Sequence, residues 1–405
     1  MSLISRRHFI QFASSTFTTL GLNSLDLLPK VERYGQVLAQ STPRKLALLV
    51  GINQYQRQPL SGCVNDVKLQ EMLLIHRFGF KEDDILTLTD KQATRQGILE
   101  AFEDHLIKQA KPGDVVVFHF SGHGSRVLDP NPIRLKSPII DGVGLNGTLV
   151  PVDSQLPPGY PNVGGEVDDI MGHTLFLLMS AIQTENVTAI LDSCFSGLTT
   201  RNYKVRSREG GEKVKISPQE KADQEKWLSR LGWSEDEFVR RYKEGVAKGI
   251  VIASAKPNQL AKDVRFLDFN VGIFSYFLTQ YLWQNAGNPK NAIAYATEQI
   301  PRKFKQDPMY EVKINSGSES QPMYFVENPN SVASAVVMKT EDNQARIWLG
   351  GLTLQQKAQL KPGTQLNVVN SQSDLSGKAV FQSRQGLTAR VQMEGTLEPG
   401  TLLSL

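Results

Sequence analysis

The chain has 405 residues, of which 40% are hydrophobic and 21% charged, a composition typical of a globular protein large enough for two domains. A formal net charge of +4 is too small to indicate a nucleic-acid-binding protein, so no polyanionic partner is expected. The only two cysteines, Cys63 and Cys194, are too few for a disulfide framework or a multi-thiolate metal site.

The N-terminal stretch, residues 1–40, is predicted to be a targeting extension. Arg6 and Arg7 precede a moderately apolar stretch, and Val37-Leu38-Ala39 offers small residues to a signal peptidase. Paired arginines in this setting resemble a twin-arginine export signal, which predicts a periplasmic protein. If the stretch is instead a basic helix lying on a membrane or on the domain itself, the protein is expected in the cytoplasm.

Residues 41–200 alternate between strand and helix patterns. Apolar, β-branched runs at 45–52, 84–89, 114–120 and 187–191 predict buried parallel strands, with a shorter strand at 148–152. Helical periodicity at 65–77, after Thr94 and at 170–182 predicts the helices between them. This rhythm predicts an α/β fold, with a mainly parallel sheet flanked by helices on both faces.

The rest of the chain divides into three parts. Residues 201–248 are rich in charged residues and glycine, and are predicted to be an exposed linker or insertion with one short helix near 227–242. Within 249–330, a strand at 249–255 and an apolar helix at 274–283 are predicted to complete the sheet. Residues 334–405 show short alternating strands and a repeated turn, Leu-Lys-Pro-Gly-Thr at 360–364 and Leu-Glu-Pro-Gly-Thr at 397–401. They predict a small all-β domain, a sandwich or a barrel.

Two glycine-rich turns end two of the predicted strands. Ser-Gly-His-Gly spans 121–124, and Asp-Ser-Cys-Phe-Ser-Gly spans 192–197. Because functional groups of open α/β sheets collect at the carboxyl ends of the strands, His123 and Cys194 are expected at one edge. A thiol beside a histidine base is suited to nucleophilic catalysis, and the amides of Gly124 and Cys194 are candidates for an oxyanion hole. Taken singly, either residue would more often be structural, a buried cysteine or a capping histidine, and it is their pairing that favours catalysis.

Together with Gly-Ile-Asn at 51–53, Gly-Cys-Val-Asn-Asp at 62–66 and Pro-Val-Asp at 151–153, these motifs resemble the caspase-like cysteine peptidases. Within that group the order of motifs is similar to that of metacaspases and the prokaryotic orthocaspases. The resemblance covers residues 45–326 and leaves the β tail outside. It implies a catalytic dyad of His123 and Cys194. It also implies an acidic pocket for the residue before the scissile bond, formed by Cys63, Asp66, Ser121 and Asp192.

An acidic pocket implies an endopeptidase that cleaves protein or peptide substrates after Arg and less well after Lys, because a guanidinium pairs well with carboxylates. Two carboxylates would repel the substrate of an aspartate-specific peptidase. Asp66 could instead complement a helix dipole, and Asp192 could orient a strand end. A different class of function, a non-catalytic scaffold whose β tail binds partners, is the main alternative. The chain is expected to act as a monomer.

Three aspartates, Asp153, Asp168 and Asp169, resemble carboxylates that bind activating calcium in many metacaspases. The fourth acidic position of that pattern is Arg201 in this chain, so no cofactor is expected to be required. Asp169 could alternatively cap the helix predicted at 170–182. The remaining histidines show no ligand spacing, and His119 is expected in the core.

Basic residues in the segment 201–248 suggest self-cleavage. An enzyme specific for Arg would encounter them in a stretch that starts seven residues after Cys194. Flexible, exposed stretches are the usual sites of proteolysis. The candidate self-cleavage sites are Arg206 and Arg208.

Overall fold

The computed structural model describes residues 43–133, 144–194, 204–369 and 377–405. The predicted export signal, His8 and Arg201 therefore lie outside the described residues. The chain divides into two units at Pro43, and the features below all belong to the second, Arg44–Leu405.

The strands and helices before residue 330 are as follows. The strands are β1 (Lys45–Gly51), β2 (Ile85–Thr89), β3 (Val115–Ser121), β4 (Gly124–Leu128), β5 (Leu145–Leu149), β6 (Gly165–Val167), β7 (Ile170–Met171), β8 (Val187–Asp192), β9 (Gly211–Ile216), β10 (Ile250–Ala253), β11 (Asp263–Phe266), β12 (Phe269–Gly272) and β13 (Met309–Val312). The helices are α1 (Cys63–His76), α2 (Arg95–Ala101), α3 (Gly172–Ala181), α4 (Pro218–Leu231), α5 (Glu235–Lys243), α6 (Ile273–Gln284) and α7 (Pro289–Gln299).

The central sheet has six strands in the spatial order β13-β10-β8-β3-β1-β2, all parallel except the antiparallel edge strand β13. Successive side chains of β1 point to opposite faces, so Leu46 and Leu48 enter one core and Ala47 and Leu49 the other. Helices α1 and α6 contribute to one core, and α2 and α3 to the other. The predicted α/β fold is confirmed, with both faces of the sheet covered.

A second sheet, with the order β6-β9-β4-β5-β7, lies beyond the carboxyl end of β3. The predicted strand at 148–152 belongs to this sheet as β5 and not to the central one. The predicted helix at 170–182 begins later, at Gly172, because Ile170 and Met171 pair with β5 as β7. Asp169 therefore does not cap the helix. The Asp169 carboxylate has other partners, which are described below.

The prediction of a single short helix near 227–242 is wrong for the described residues 204–248 of the predicted linker or insertion. They form β9 and two helices, α4 and α5, which bury Trp227 and Phe238 against the core. Ser217 caps α4 with Pro218 in its first turn, and Gly232 ends it in the left-handed conformation at φ +66°. Ser234 then caps α5. The prediction of a single helix missed the break at Gly232.

The C-terminal region is a closed barrel with the strand order β14-β15-β18-β17-β16-β19. Its elements are β14 (Ala335–Glu341), β15 (Gln344–Trp348), α8 (Leu354–Gln359), β16 (Gln365–Val368), β17 (Gly377–Gln385), β18 (Thr388–Gly395) and β19 (Leu402–Ser404). Both repeated Pro-Gly turns place glycine at positive φ, +93° at Gly363 and +88° at Gly400. The barrel has a core of its own, as the sequence predicts.

The barrel also contacts the α/β region at the β11–β12 hairpin. The Asp268 carboxylate at the hairpin turn accepts a hydrogen bond from the Gly386 amide at 2.7 Å and pairs with Arg384. In the described residues, no helix has both the length and the apolar character needed to cross a membrane.

Candidate active site

The two predicted catalytic residues follow neighbouring strands that end in register. Ser121, the last residue of β3, pairs with Asp192, the last residue of β8. His123 and Cys194 each lie two residues farther along the chain. The parallel pairing therefore places both residues at the same edge of the sheet, as the sequence predicts.

Between these two strand ends lies the chain's own segment 204–209. The backbone carbonyl oxygen of Arg206 accepts two hydrogen bonds, from the Cys194 amide at 2.9 Å and from the Gly124 amide at 3.0 Å. These are the amides predicted to form an oxyanion hole. A Cβ at position 124 would lie 2.3 Å from the Cys194 carbonyl oxygen, so only glycine allows this close approach.

The segment is paired on both sides through isolated β-bridges, Val205 with Lys262 and Ser207 with Gly124. On one side, the Arg206 amide donates to the Ala261 carbonyl at 3.0 Å, and the Asp263 amide donates to the Lys204 carbonyl at 3.1 Å. On the other side, the Arg208 amide donates to the Gly124 carbonyl at 2.8 Å. Added strands of this kind are a common way to hold an extended peptide.

The Arg206 side chain fills the predicted acidic pocket and is fully buried. Its Nη2 lies 2.6 Å from Asp66 Oδ2 and 3.1 Å from Asp263 Oδ1. Its Nη1 lies 3.0 Å from Asp192 Oδ2 and donates to the Ser121 hydroxyl at 2.6 Å. The expectation that Arg206 is exposed is therefore wrong. The acidic groups around it offset the cost of burying its charge.

The sequence predicts the contacts of Arg206 with Asp66, Asp192 and Ser121. Cys63, also predicted for the pocket, is buried beside them and interacts with Ser121 and with the charge of Arg206. The sequence misses two features of the pocket. One is Asp263, a third carboxylate, supplied by β11. The other is Gly272, where a Cβ would lie 2.3 Å from Asp192 Oδ2 and 2.6 Å from Arg206 Nη1. Neither residue belongs to a recognisable motif, because the β11–β12 hairpin that carries both is distant in sequence from the strands it meets.

The carboxyl groups of the pocket crowd one another. Burial raises the pKa of Asp66 to about 7, with a further contribution from the Asp192 charge, while the Arg206 guanidinium opposes the shift. Asp192 is held by the Ser275 hydroxyl at 2.6 Å and amide at 3.2 Å. The pocket therefore has more negative charge than one guanidinium neutralises, which suits it to a cationic side chain.

The reactive groups are both buried and neutral while the segment occupies the cleft. Burial raises the pKa of the Cys194 thiol to about 12 and lowers the pKa of His123 to about 4. The thiol sulfur accepts a hydrogen bond from the Ala261 amide at 2.7 Å, and His123 Nε2 lies 2.7 Å from the Gln58 carbonyl oxygen. His123 Nδ1 has no hydrogen-bond partner among the described residues. In this state Cys194 and His123 are therefore a neutral thiol and a neutral imidazole, not a thiolate–imidazolium ion pair.

The three aspartates that resemble calcium ligands do not form one cluster. Asp153 accepts a hydrogen bond from the Arg95 amide at 2.9 Å, and Asp168 is exposed. Asp169 pairs with the guanidinium of Arg208 at 2.6 Å. In the described ranges, no group of three or more His, Cys, Asp or Glu side chains is arranged to hold a metal ion. These residues do not fit a calcium ion in this conformation.

His119 is buried in the core, as the sequence predicts, and burial lowers its pKa to about 4. His105 Nε2 lies within 3.1 Å of the carbonyl oxygens of Ala47 and Asp84, and His173 lies 3.6 Å from Asp129. His105 and His173 have structural partners, whereas His119 lies close enough to the pocket for the charges of Asp192 and Arg206 to affect its pKa.

Comparison with known proteins agrees with the geometry. Residues 45–201 match the family model described as the metacaspase, peptidase C14 domain. This part of the chain is similar to a metacaspase domain. Metacaspase-1 of Sclerotinia sclerotiorum is 36% identical over 190 residues, which cover 44% of this chain and 39% of that protein. Metacaspase-1 of Ajellomyces capsulatus is 28% identical over 308 residues, covering 68% and 81% of the two chains.

The chain spans about two fifths of the length of the curated metacaspases it matches with 36% identity, such as metacaspase-1 of Botryotinia fuckeliana at 40%. Among solved structures, caspase-1 from Spodoptera frugiperda matches with a TM-score of 0.36 and 10% identity, covering 67% of this chain and 87% of that one. The Drosophila initiator caspase Dronc matches with a TM-score of 0.37 and 10% identity, covering 71% and 85%.

Proposed function

We propose that the protein is a cysteine endopeptidase that cleaves after Arg, and less well after Lys, and that its first substrate is its own chain. One observation carries this proposal: Arg206 has its side chain among three carboxylates and its carbonyl oxygen between two amides. A residue before a scissile bond needs both contacts at once. The similarity of residues 45–201 to a peptidase family supports the same function.

The reaction would start from the neutral pair. His123 takes the thiol proton, and the Cys194 sulfur attacks the carbonyl carbon of the arginine. The resulting oxyanion is stabilised by the amides of Gly124 and Cys194, which already donate to that oxygen. The protonated His123 then gives its proton to the leaving amine, and a thioester remains. Water, activated by His123, hydrolyses the thioester and restores the thiol.

Self-cleavage is proposed after Arg206 and not after Arg208. The carbonyl of Arg206 is the one that accepts hydrogen bonds from both amides, so its bond to Ser207 is the one we expect Cys194 to attack. The side chain of Arg208 pairs with Asp169, outside the acidic pocket. On cleavage, the part of the segment before the cut can leave the pocket and open it to other substrates.

The experiment is hydrolysis of fluorogenic peptides that end in Arg, Lys or Asp, by the wild type and by Cys194→Ala. Turnover in the order Arg, Lys, Asp by the wild type alone is expected. Preference for Asp would contradict the acidic pocket. Complete inactivity of a folded wild type would favour the non-catalytic scaffold. Two fragments in the wild type and none in Cys194→Ala would support self-processing.

We also propose that the chain is exported as a monomer through its paired arginines. Arg6 and Arg7 ahead of an apolar stretch support export. Cell fractionation with Arg6→Lys/Arg7→Lys as the comparison tests it. Loss of the periplasmic pool in the variant is expected, and equal distribution of the two proteins would contradict the signal.

A further inference from the structure

A second arginine of the segment lies in a separate acidic site. Arg208, two residues beyond Arg206, is only 7% exposed. Its Nη2 lies 2.6 Å from Asp169 Oδ2, and its Nη1 donates to the Ser154 hydroxyl at 3.2 Å. If the bond after Arg206 is the scissile bond, Arg208 is the second residue on the leaving-group side.

The carboxylate that pairs with this guanidinium is held in place by its neighbours. Asp169 is fully buried, at 0% exposure, and its two oxygens are held by different hydroxyls: Thr148 Oγ1 donates to Oδ2 and Ser154 Oγ to Oδ1, both at 2.6 Å. A buried carboxylate without a cationic partner is costly, and two hydroxyls only partly replace its hydration. The site therefore favours a cation.

The position of the site suits the leaving group of a substrate. The Arg208 amide donates to the carbonyl of Gly124, the residue whose own amide contributes to the oxyanion hole. Arg208 and Ser154 also line a cavity of about 150 Å³ that His123 borders. A peptide held along Gly124 would thus direct its second leaving-side residue toward Asp169.

We propose that Asp169 and Ser154, positioned by Thr148, form a second specificity site that selects Arg or Lys two residues after the scissile bond. The inference rests on the proposed peptidase function and narrows its substrates to the pattern Arg-X-Arg or Arg-X-Lys, cut after the first Arg. The chain's own Arg206-Ser207-Arg208 is the first example. A merely structural ion pair would hold the segment but would not select substrates.

The test separates these two roles with enzymes whose own Arg208 no longer competes for the site. Arg208→Ala protein, incubated until self-cleavage is complete, is assayed with two fluorescence-quenched peptides, Lys-Val-Arg-Ser-Arg-Glu and Lys-Val-Arg-Ser-Ala-Glu. The kcat/KM ratio of the two peptides is measured within one enzyme, so it does not depend on how much total activity a variant retains. A ratio of about ten or more is expected for Arg208→Ala, because a buried guanidinium–carboxylate pair is lost with the second peptide.

The matched variant is Arg208→Ala/Asp169→Asn, for which the ratio is expected to fall to about one. A ratio near one in Arg208→Ala itself overturns the inference, even if the double variant does not fold. An arginine with a fluorophore as its leaving group has no residue to occupy the second site, so it reports the proposed peptidase function alone. Its hydrolysis together with a ratio of one refutes only the second site, and no hydrolysis by any enzyme, the wild type included, refutes the peptidase as well.

Discussion

Replacing Asp66 by Asn tests the acidic pocket with the least change of shape. The Asp66 carboxylate contacts three groups in the pocket: Arg206 Nη2 at 2.6 Å, the Ser121 hydroxyl at 2.7 Å and the Gly272 amide at 2.9 Å. Asparagine can keep its oxygen on the Gly272 amide. Its NH2 group would then face the guanidinium, which is also a donor, so the strongest contact is lost.

The size of the loss in Asp66→Asn depends on the carboxylates that still contact the guanidinium. Removing one partner of a buried ion pair costs about 3–5 kcal/mol when the other charge is left alone. Asp192 and Asp263 stay within 3.0 and 3.1 Å of the same guanidinium, so we expect a smaller loss. A loss of about 2 kcal/mol corresponds to roughly a 30-fold lower kcat/KM for peptides ending in Arg.

The assay compares kcat/KM of self-cleaved wild type and Asp66→Asn on the same fluorogenic Arg peptide. Asp83→Asn makes the same chemical change at an exposed residue far from the cleft and serves as the control. A change of less than about threefold in Asp66→Asn, with the control unaffected, would refute the pairing of Asp66 with the substrate arginine.

Three further predictions concern the same site. Gly272→Ala should reduce Arg-peptide hydrolysis at least tenfold, because its Cβ would lie 2.3 Å from Asp192 Oδ2 and 2.6 Å from the guanidinium and so force the two apart; an unchanged kcat/KM in a folded variant would contradict this. Because burial raises the pKa of Asp66 and only its deprotonated form pairs with Arg, the KM of Arg peptides should fall as pH rises through that raised pKa, but not in Asp66→Asn. Since Arg201 replaces a ligand and Asp169 pairs with Arg208, activity should persist in excess EGTA; a strict calcium requirement would show that other ligands suffice.

The parts of the fold set by local pattern could be predicted from the sequence. Strands buried on both faces, such as β3 and β8, are recognisable in the sequence as continuous apolar runs. Because each of these predicted parallel strands ends just before one of the two residues, the pattern alone is enough to predict that His123 and Cys194 lie at one edge of the sheet. Asp66 and Ser121 could be assigned to a pocket through the family resemblance, and the ion pair of Asp66 and the hydrogen bond of Ser121 with Arg206 are consistent with that assignment.

The parts that depend on contacts distant in sequence could not be predicted. A run of Lys, Arg, Glu and Gly usually indicates a solvated surface, and nothing local in 204–208 shows that two arginines there meet buried carboxylates. Asp263 is 197 residues from Asp66 in the numbering, and only the β11–β12 hairpin brings them to one guanidinium. Asp169 likewise acquires its partner from a segment that composition alone describes as a linker.

The most direct test of the central claim is the identity of the cut end. Purified wild type and Cys194→Ala are compared by intact-mass spectrometry, with N-terminal sequencing of any C-terminal fragment. If Arg206 lies in the cleft as a substrate, the wild-type fragment begins at Ser207, and Cys194→Ala stays whole. A fragment that begins at Glu209, or an uncut wild type that hydrolyses Arg peptides at full rate, would contradict the account.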